Sequence, residues 1–137
     1  MTRNLLTRRL GSLYILRQNT EEPTEEDWRE LLEFLSKHKS EGIRILVYTD
    51  GGTPTAVQRR RLADALGDTH MLVAAVSDSI KVRFAGSTIA LFQRNYRQYS
   101  TKEMQQAYEH LKMTSLEQRQ VEAAMKELEA LLFPDKK

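Results

Sequence analysis

The segment that most limits the fold is "HMLVAAV", residues 70 to 76, an almost unbroken apolar run of strand length. A strand with one face in water alternates apolar and polar side chains, whereas a strand without alternation is covered on both faces. The chain therefore needs a layer on each side of a sheet, which points to an α/β protein. Other segments agree. "LGSLYILRQ" suits a first strand ending near Arg17, "IRILVYT" a second, and "YRQYS" a short edge strand.

Helical patterns alternate with these runs. In "TEEDWRELLEFLSKH", Thr24 can cap a helix whose first turn is acidic and whose far end carries Lys37, His38 and Lys39. Trp28, Leu31, Leu32 and Leu35 make its apolar stripe. A second helix is expected with Thr53 as cap and Pro54 at the first helical position, running to Leu66. Ser100 with Glu103 and Ser115 with Gln118 announce two more near the C-terminus. Residues 77 to 95 are ambiguous. Ile80, Val82 and Phe84 alternate as in a strand, while Val82, Ala85, Ile89 and Phe92 share a helical face. The expectation is one domain with a mixed or parallel sheet of about four strands, flanked by helices through right-handed crossovers, and an amphipathic C-terminal helix.

Composition excludes several classes of function. With no cysteine among 137 residues, disulfides, thiolate nucleophiles and cysteine-ligated metals are ruled out together. His38, His70 and His110 lack ligand spacing, so no metal is expected, and no cofactor motif occurs. A formal charge of +2 leaves no footprint for nucleic acid. Arg59, Arg60 and Arg61 spread over roughly 200° of a helix, too wide for one clamp. No apolar run approaches the roughly 18 residues of a membrane span. The basic N-terminus has no small-residue cleavage site after its short apolar run, so a cytoplasmic protein is expected.

The candidate chemistry sits at two strand-to-helix junctions, "TDGGTPT" and "SDS". Ligands of open α/β sheets gather at such places. Parallel neighbouring strands would bring Asp50, Gly51, Gly52, Thr53, Thr55, Ser77, Asp78 and Ser79 to one edge. Glycines and free helix-start amides can capture an anion, and the same residues also make a plain turn. The lysine and glycine spacing of a phosphate-binding loop are missing. No serine carries a nucleophile-elbow signature, so an enzyme is not expected.

The order of segments carries a resemblance. An acid-rich helix with Trp28, a strand ending "YTDGG" before "RRRLADAL", a strand ending "AVSDS", then "YRQYS" and "TKEMQQAYEHL" together resemble small bacterial STAS-like proteins (sulfate transporter and anti-sigma factor antagonist). The resemblance covers residues 8 to 113, favours a helix for the ambiguous segment, and leaves 114 to 137 as a C-terminal helical extension. It implies non-catalytic regulation by contact with another protein, in some members switched by phosphorylation. Related domains bind lipids or nucleotides. The switch in the anti-sigma antagonists is a serine in an Asp-Ser-Ser/Thr-Gly motif. Here the matching place is Asp50-Gly51-Gly52-Thr53, with glycines at the serine positions, which leaves Thr53 or Thr55 as substitutes.

The expected function is thus a non-enzymatic regulatory or scaffolding module that contacts another protein and can self-associate into a homo-oligomer. Phe84 and Leu91, on the helix face away from Val82 and Ile89, are candidate interface residues. Val121, Met125, Leu128 and Leu132 of the C-terminal stripe are the others. The alternatives are a small-ligand, lipid or nucleotide site at the strand-end edge, and a threonine-switched antagonist.

Overall fold

The computed structural model describes residues 3–134. The last three residues of the expected C-terminal extension lie outside them. Strands β1 (Leu5–Leu10), β2 (Leu13–Gln18), β3 (Arg44–Thr49), β4 (Leu72–Val76) and β5 (Tyr96–Tyr99) form one sheet in that same spatial order. β1 and β2 are an antiparallel hairpin, and every later pairing is parallel. Helices α1 (Glu25–His38), α2 (Ala56–Leu66) and α3 (Ile80–Ala90) fill the crossovers. A 3₁₀ turn (Thr101–Glu103), α4 (Met104–His110) and α5 (Ser115–Leu132) follow.

The sheet thus has five strands, one more than the sequence pattern predicts. The additional strand is β1, an edge strand on which Leu5 alone is fully buried, so its pattern carries little apolar signal. Asp27, at the start of α1, anchors the approach to β1 by accepting from the Asn4 amide at 3.1 Å and from the Arg3 guanidinium.

Two cores follow from the layering. On one face Tyr14, Leu16, Ile45 and Val73 meet Trp28, Leu31 and Leu35 of α1 and Leu62 and Leu66 of α2. On the other, Leu13, Ile15, Leu46, Ala74 and Val76 meet Ala107, Tyr108 and Leu111 from the α4 region and Val121, Ala124 and Leu128 of α5. β4 is covered on both sides, as its unbroken apolar run requires.

Caps fix the helix starts, and two differ from expectation. Thr24 caps α1 and forms a capping box with Asp27. α2 is capped by Thr55 rather than Thr53, because Gln58 stands three residues after Thr55 and closes the box from its side chain to the Thr55 amide at 2.9 Å. Thr53 is instead buried. α5 is capped by Thr114 rather than Ser115, since Glu117 supplies the reciprocal bond. Ser100 and Glu103 do form their box, but it opens the 3₁₀ turn ahead of α4.

α3 crosses close to β5 because Gly86 has no side chain. A Cβ there would stand 2.4 Å from Gln98 Oε1 and 2.7 Å from the Tyr96 hydroxyl. α5 is equally integral. Arg44 reaches from β3 to donate to Glu117 at 2.6 Å, and that bond holds the Glu117 carboxyl below the usual carboxylate range. Leu128→Ala is expected to lower stability by about 2–4 kcal/mol. Leu131→Ala, on the exposed side of the same helix, should change it by no more than about 0.5 kcal/mol. Equal losses in urea unfolding would show that α5 is not seated on the sheet as described.

Candidate functional site

Because β3 and β4 are parallel neighbours, the loops after them share one end of the sheet. A Cβ on Gly51 would come within 3.9 Å of Ser79 Oγ, so the two junctions do meet. Their polar groups are occupied by the fold itself. Asp50 N donates to Gln18 O at 3.1 Å, Gly51 N to Thr49 Oγ1 at 3.2 Å, and Gly52 N to Asn19 O at 2.9 Å. An anion arriving at this turn would find those donors committed, so the phosphate-cradle geometry is not formed.

The acids are likewise engaged. Asp50 receives both of its oxygens' bonds from Arg17 Nη2, at 3.1 and 3.2 Å. Asp78 accepts from the Thr101 hydroxyl at 2.6 Å and from the Thr101 amide at 2.9 Å, and these bonds hold its carboxyl below the usual range. Ser77 Oγ accepts from the Ser79 amide, and Ser79 Oγ caps α3 by accepting from the Val82 amide. The Thr55 hydroxyl accepts from the Gln58 amide.

The residue that organises this edge is Arg17, which the sequence pattern did not single out. Its side chain is 5 % exposed, at the end of β2. It donates to Asp50, to Glu129 of α5 at 3.0 Å and to the Gln18 carbonyl at 2.7 Å, and its guanidinium stacks over Tyr48 and Phe133. A planar fork satisfied by two carboxylates and two rings is the arrangement that arginine, and not lysine, can make. The available signal was an arginine closing an otherwise apolar strand. Asp50 is thereby a structural anchor that ties the glycine turn to α5.

Gly51 adopts φ +141°, and Gly52 is enclosed by the β2–α1 loop. A Cβ at Gly52 would lie 2.1 Å from the Glu21 carbonyl oxygen and 2.8 Å from that of Asn19, both backbone atoms unable to swing aside. Gly52 is therefore demanded by packing, and Gly51 by its positive φ.

The expected interface residues divide. Val121 and Leu128 are core, 1 % and 2 % exposed, and so cannot form a contact face. Their helix turns them toward the sheet, which periodicity could not distinguish from turning them outward. Met125 is half-buried against that core, and Leu132 is half-buried. Phe84 and Leu91 lie on open surface, 79 % and 87 % exposed. Ile80, at 83 %, joins them and was not foreseen. Of the arginine triplet, Arg59 donates to the Pro54 carbonyl and Arg61 pairs with Glu25, so the three splay apart. No group of three or more His, Asp or Glu among the described residues is placed to hold a metal ion. No helix among them is long and apolar enough to cross a membrane.

No protein-family model matches this chain, and neither does any curated protein or solved structure.

Gly52→Ala is expected to cost about 3 kcal/mol, at the upper end for overpacking, because the blocking atoms are backbone. A urea midpoint equal to that of the parent would mean that the turn is not held in this enclosed form.

Proposed function

We propose that the chain is a non-enzymatic regulatory or scaffolding module that works by protein contact through the outer face of α3. The single observation that carries this is a helix apolar on opposite sides. Val82, Ala85 and Ile89 pack toward the sheet, while Ile80, Phe84 and Leu91 stand 79–87 % exposed along one outward stripe. At about 100° per residue, positions 80, 84 and 91 fall within roughly 40° of one another. Single exposed apolar residues are ordinary; a row of three large ones on a helix is the mark of a contact surface.

Charge describes the partner. Lys81 and Arg83 flank the stripe on its two sides, and α3 holds no acid. Pairing two such faces about a two-fold axis would set cations against cations. A surface with an apolar groove and an acidic rim is the better complement. Regulation by contact is also what the STAS-like pattern implies. A threonine switch fits the geometry less well, because Thr53 as a residue is largely buried and the Thr55 hydroxyl serves as a cap.

The test is a Phe84→Ser, Leu91→Ser double variant, which should melt within a few degrees of the parent since both side chains are exposed. Bait of each form would be used to capture proteins from the native cell, with identification by mass spectrometry. A partner held by the parent and lost at least tenfold by the variant supports the reading. Identical capture by both, with both monomeric in sedimentation, contradicts it.

A further inference from the structure

Behind the glycine turn, the layer between the sheet and α1–α3 does not close. A cavity of about 100 Å³ lies there, walled mainly by apolar side chains such as Leu16, Ile45, Leu62, Val73, Val82 and Ile89. A dry cavity of about 150 Å³ holds a benzene, so this smaller space suits a molecule of about four heavy atoms. No charged residue among the described ones lines it.

Three polar residues of the wall are more than nine-tenths buried and hold an oxygen without a partner. Thr53 is 7 % exposed and Tyr96 is 8 % exposed, and neither hydroxyl bonds to any described residue. Gln18, 4 % exposed, donates from Nε2 to the Glu21 carbonyl at 2.8 Å, while its Oε1 accepts from none of them. The contrast is with Gln93 in the same wall. Its Oε1 accepts from the Met71 amide and its Nε2 donates to the Thr69 carbonyl. Burial pushes the Tyr96 phenol well above its ordinary range, so it remains a neutral donor. The fully buried side-chain oxygen without a partner among the described residues is Gln98 Oε1; the oxygens of Thr53, Tyr96 and Gln18 keep some accessible surface and are open to hydrogen bonds from a molecule in the cavity.

We propose that this cavity binds a small neutral apolar molecule bearing one hydroxyl or carbonyl oxygen, with its hydrocarbon body beneath α3 and its oxygen bonded to Thr53 or Tyr96. An ionised carboxylate would be buried without a counter-charge and is rejected. The wall formed by Val82, Ala85, Gly86 and Ile89 is the inner side of the helix whose outer side carries Phe84 and Leu91, and the cavity is there whether or not that outer face binds a protein.

Trp28, the chain's single tryptophan, lines the cavity and supplies a fluorescence signal. The experiment titrates the full chain with 2-propanol and, separately, with propionate at pH 7, following Trp28 emission and methyl NMR shifts. The expected result is a saturable response to 2-propanol, with shifts centred on Val73, Ala75, Val82, Ala85 and Ile89, and none to the carboxylate. A Thr53→Val, Tyr96→Phe double variant should bind about tenfold more weakly. It should melt no lower than the parent, because it loses only partnerless hydroxyls. If it does not fold, the two single variants carry the comparison, with about a threefold loss expected in at least one. No saturable response from the parent, equal binding of the carboxylate, or unweakened binding by the hydroxyl-free variants would overturn the proposal.

Discussion

The whole architecture depends on one topological constraint. From β2 to β5 the chain makes three parallel crossovers in succession, each to the next strand in the same direction. Such crossovers are right-handed, so α1, α2 and α3 all fall on one face of the sheet. That leaves the other face bare, with Leu13, Ile15, Leu46 and Val76 pointing into it. The segment after β5 has to cover them, and α4 and α5 do so. α5 is therefore half of the fold's second layer and not an appendage. Its seat is secured at one end by Arg44 with Glu117 and at the other by Arg17 with Glu129.

Arg17 links that constraint to the strand-end edge. One guanidinium joins β2, the turn after β3 and the last turns of α5. The turn is consequently a packed junction whose donors face inward, with Gly52 fitted under the backbone of the β2–α1 loop. Glycines at a strand-to-helix junction can serve ligand capture or chain packing; here Gly52 serves packing and Gly51 the positive-φ turn. What lies open in this region is apolar and sits behind the turn.

Much of the fold was legible in the sequence because it is written in local signals. The unbroken run of β4 demanded two covering layers, and the caps and stripes of the helices stood out. β1 was missed although Leu10 and Leu13 flank a two-residue Gly11-Ser12 connection, a hairpin signature outweighed by the arginines of an edge strand. The cap of α2 was misplaced because Pro54 drew the helix start to Thr53, whereas the reciprocal bond from Gln58 selects Thr55. The C-terminal stripe was visible, but which way it faces is decided by topology. Phe84 and Leu91 were legible as a surface because Val82 and Ile89 already claim the opposite side of α3. Arg17, Tyr96 and the enclosure of Gly52 depend on contacts between distant segments, which no local pattern encodes.

α3 emerges as the element with surplus apolar surface, more than the sheet alone can use. Its inner side roofs an imperfectly filled cavity, and its outer side offers a hydrophobic row bordered by cations. A helix apolar on opposite sides is stable in water only at a cost, and under the proposed function a partner protein covers the outer row in the cell. Hydroxyl-radical footprinting compares the oxidation of Phe84 in purified protein and in fresh extract of the native cell, with exposed Leu116 on α5 as the internal standard. If a partner covers the row, Phe84 is protected at least severalfold relative to Leu116 in the extract. Equal oxidation of Phe84 in both settings would contradict it.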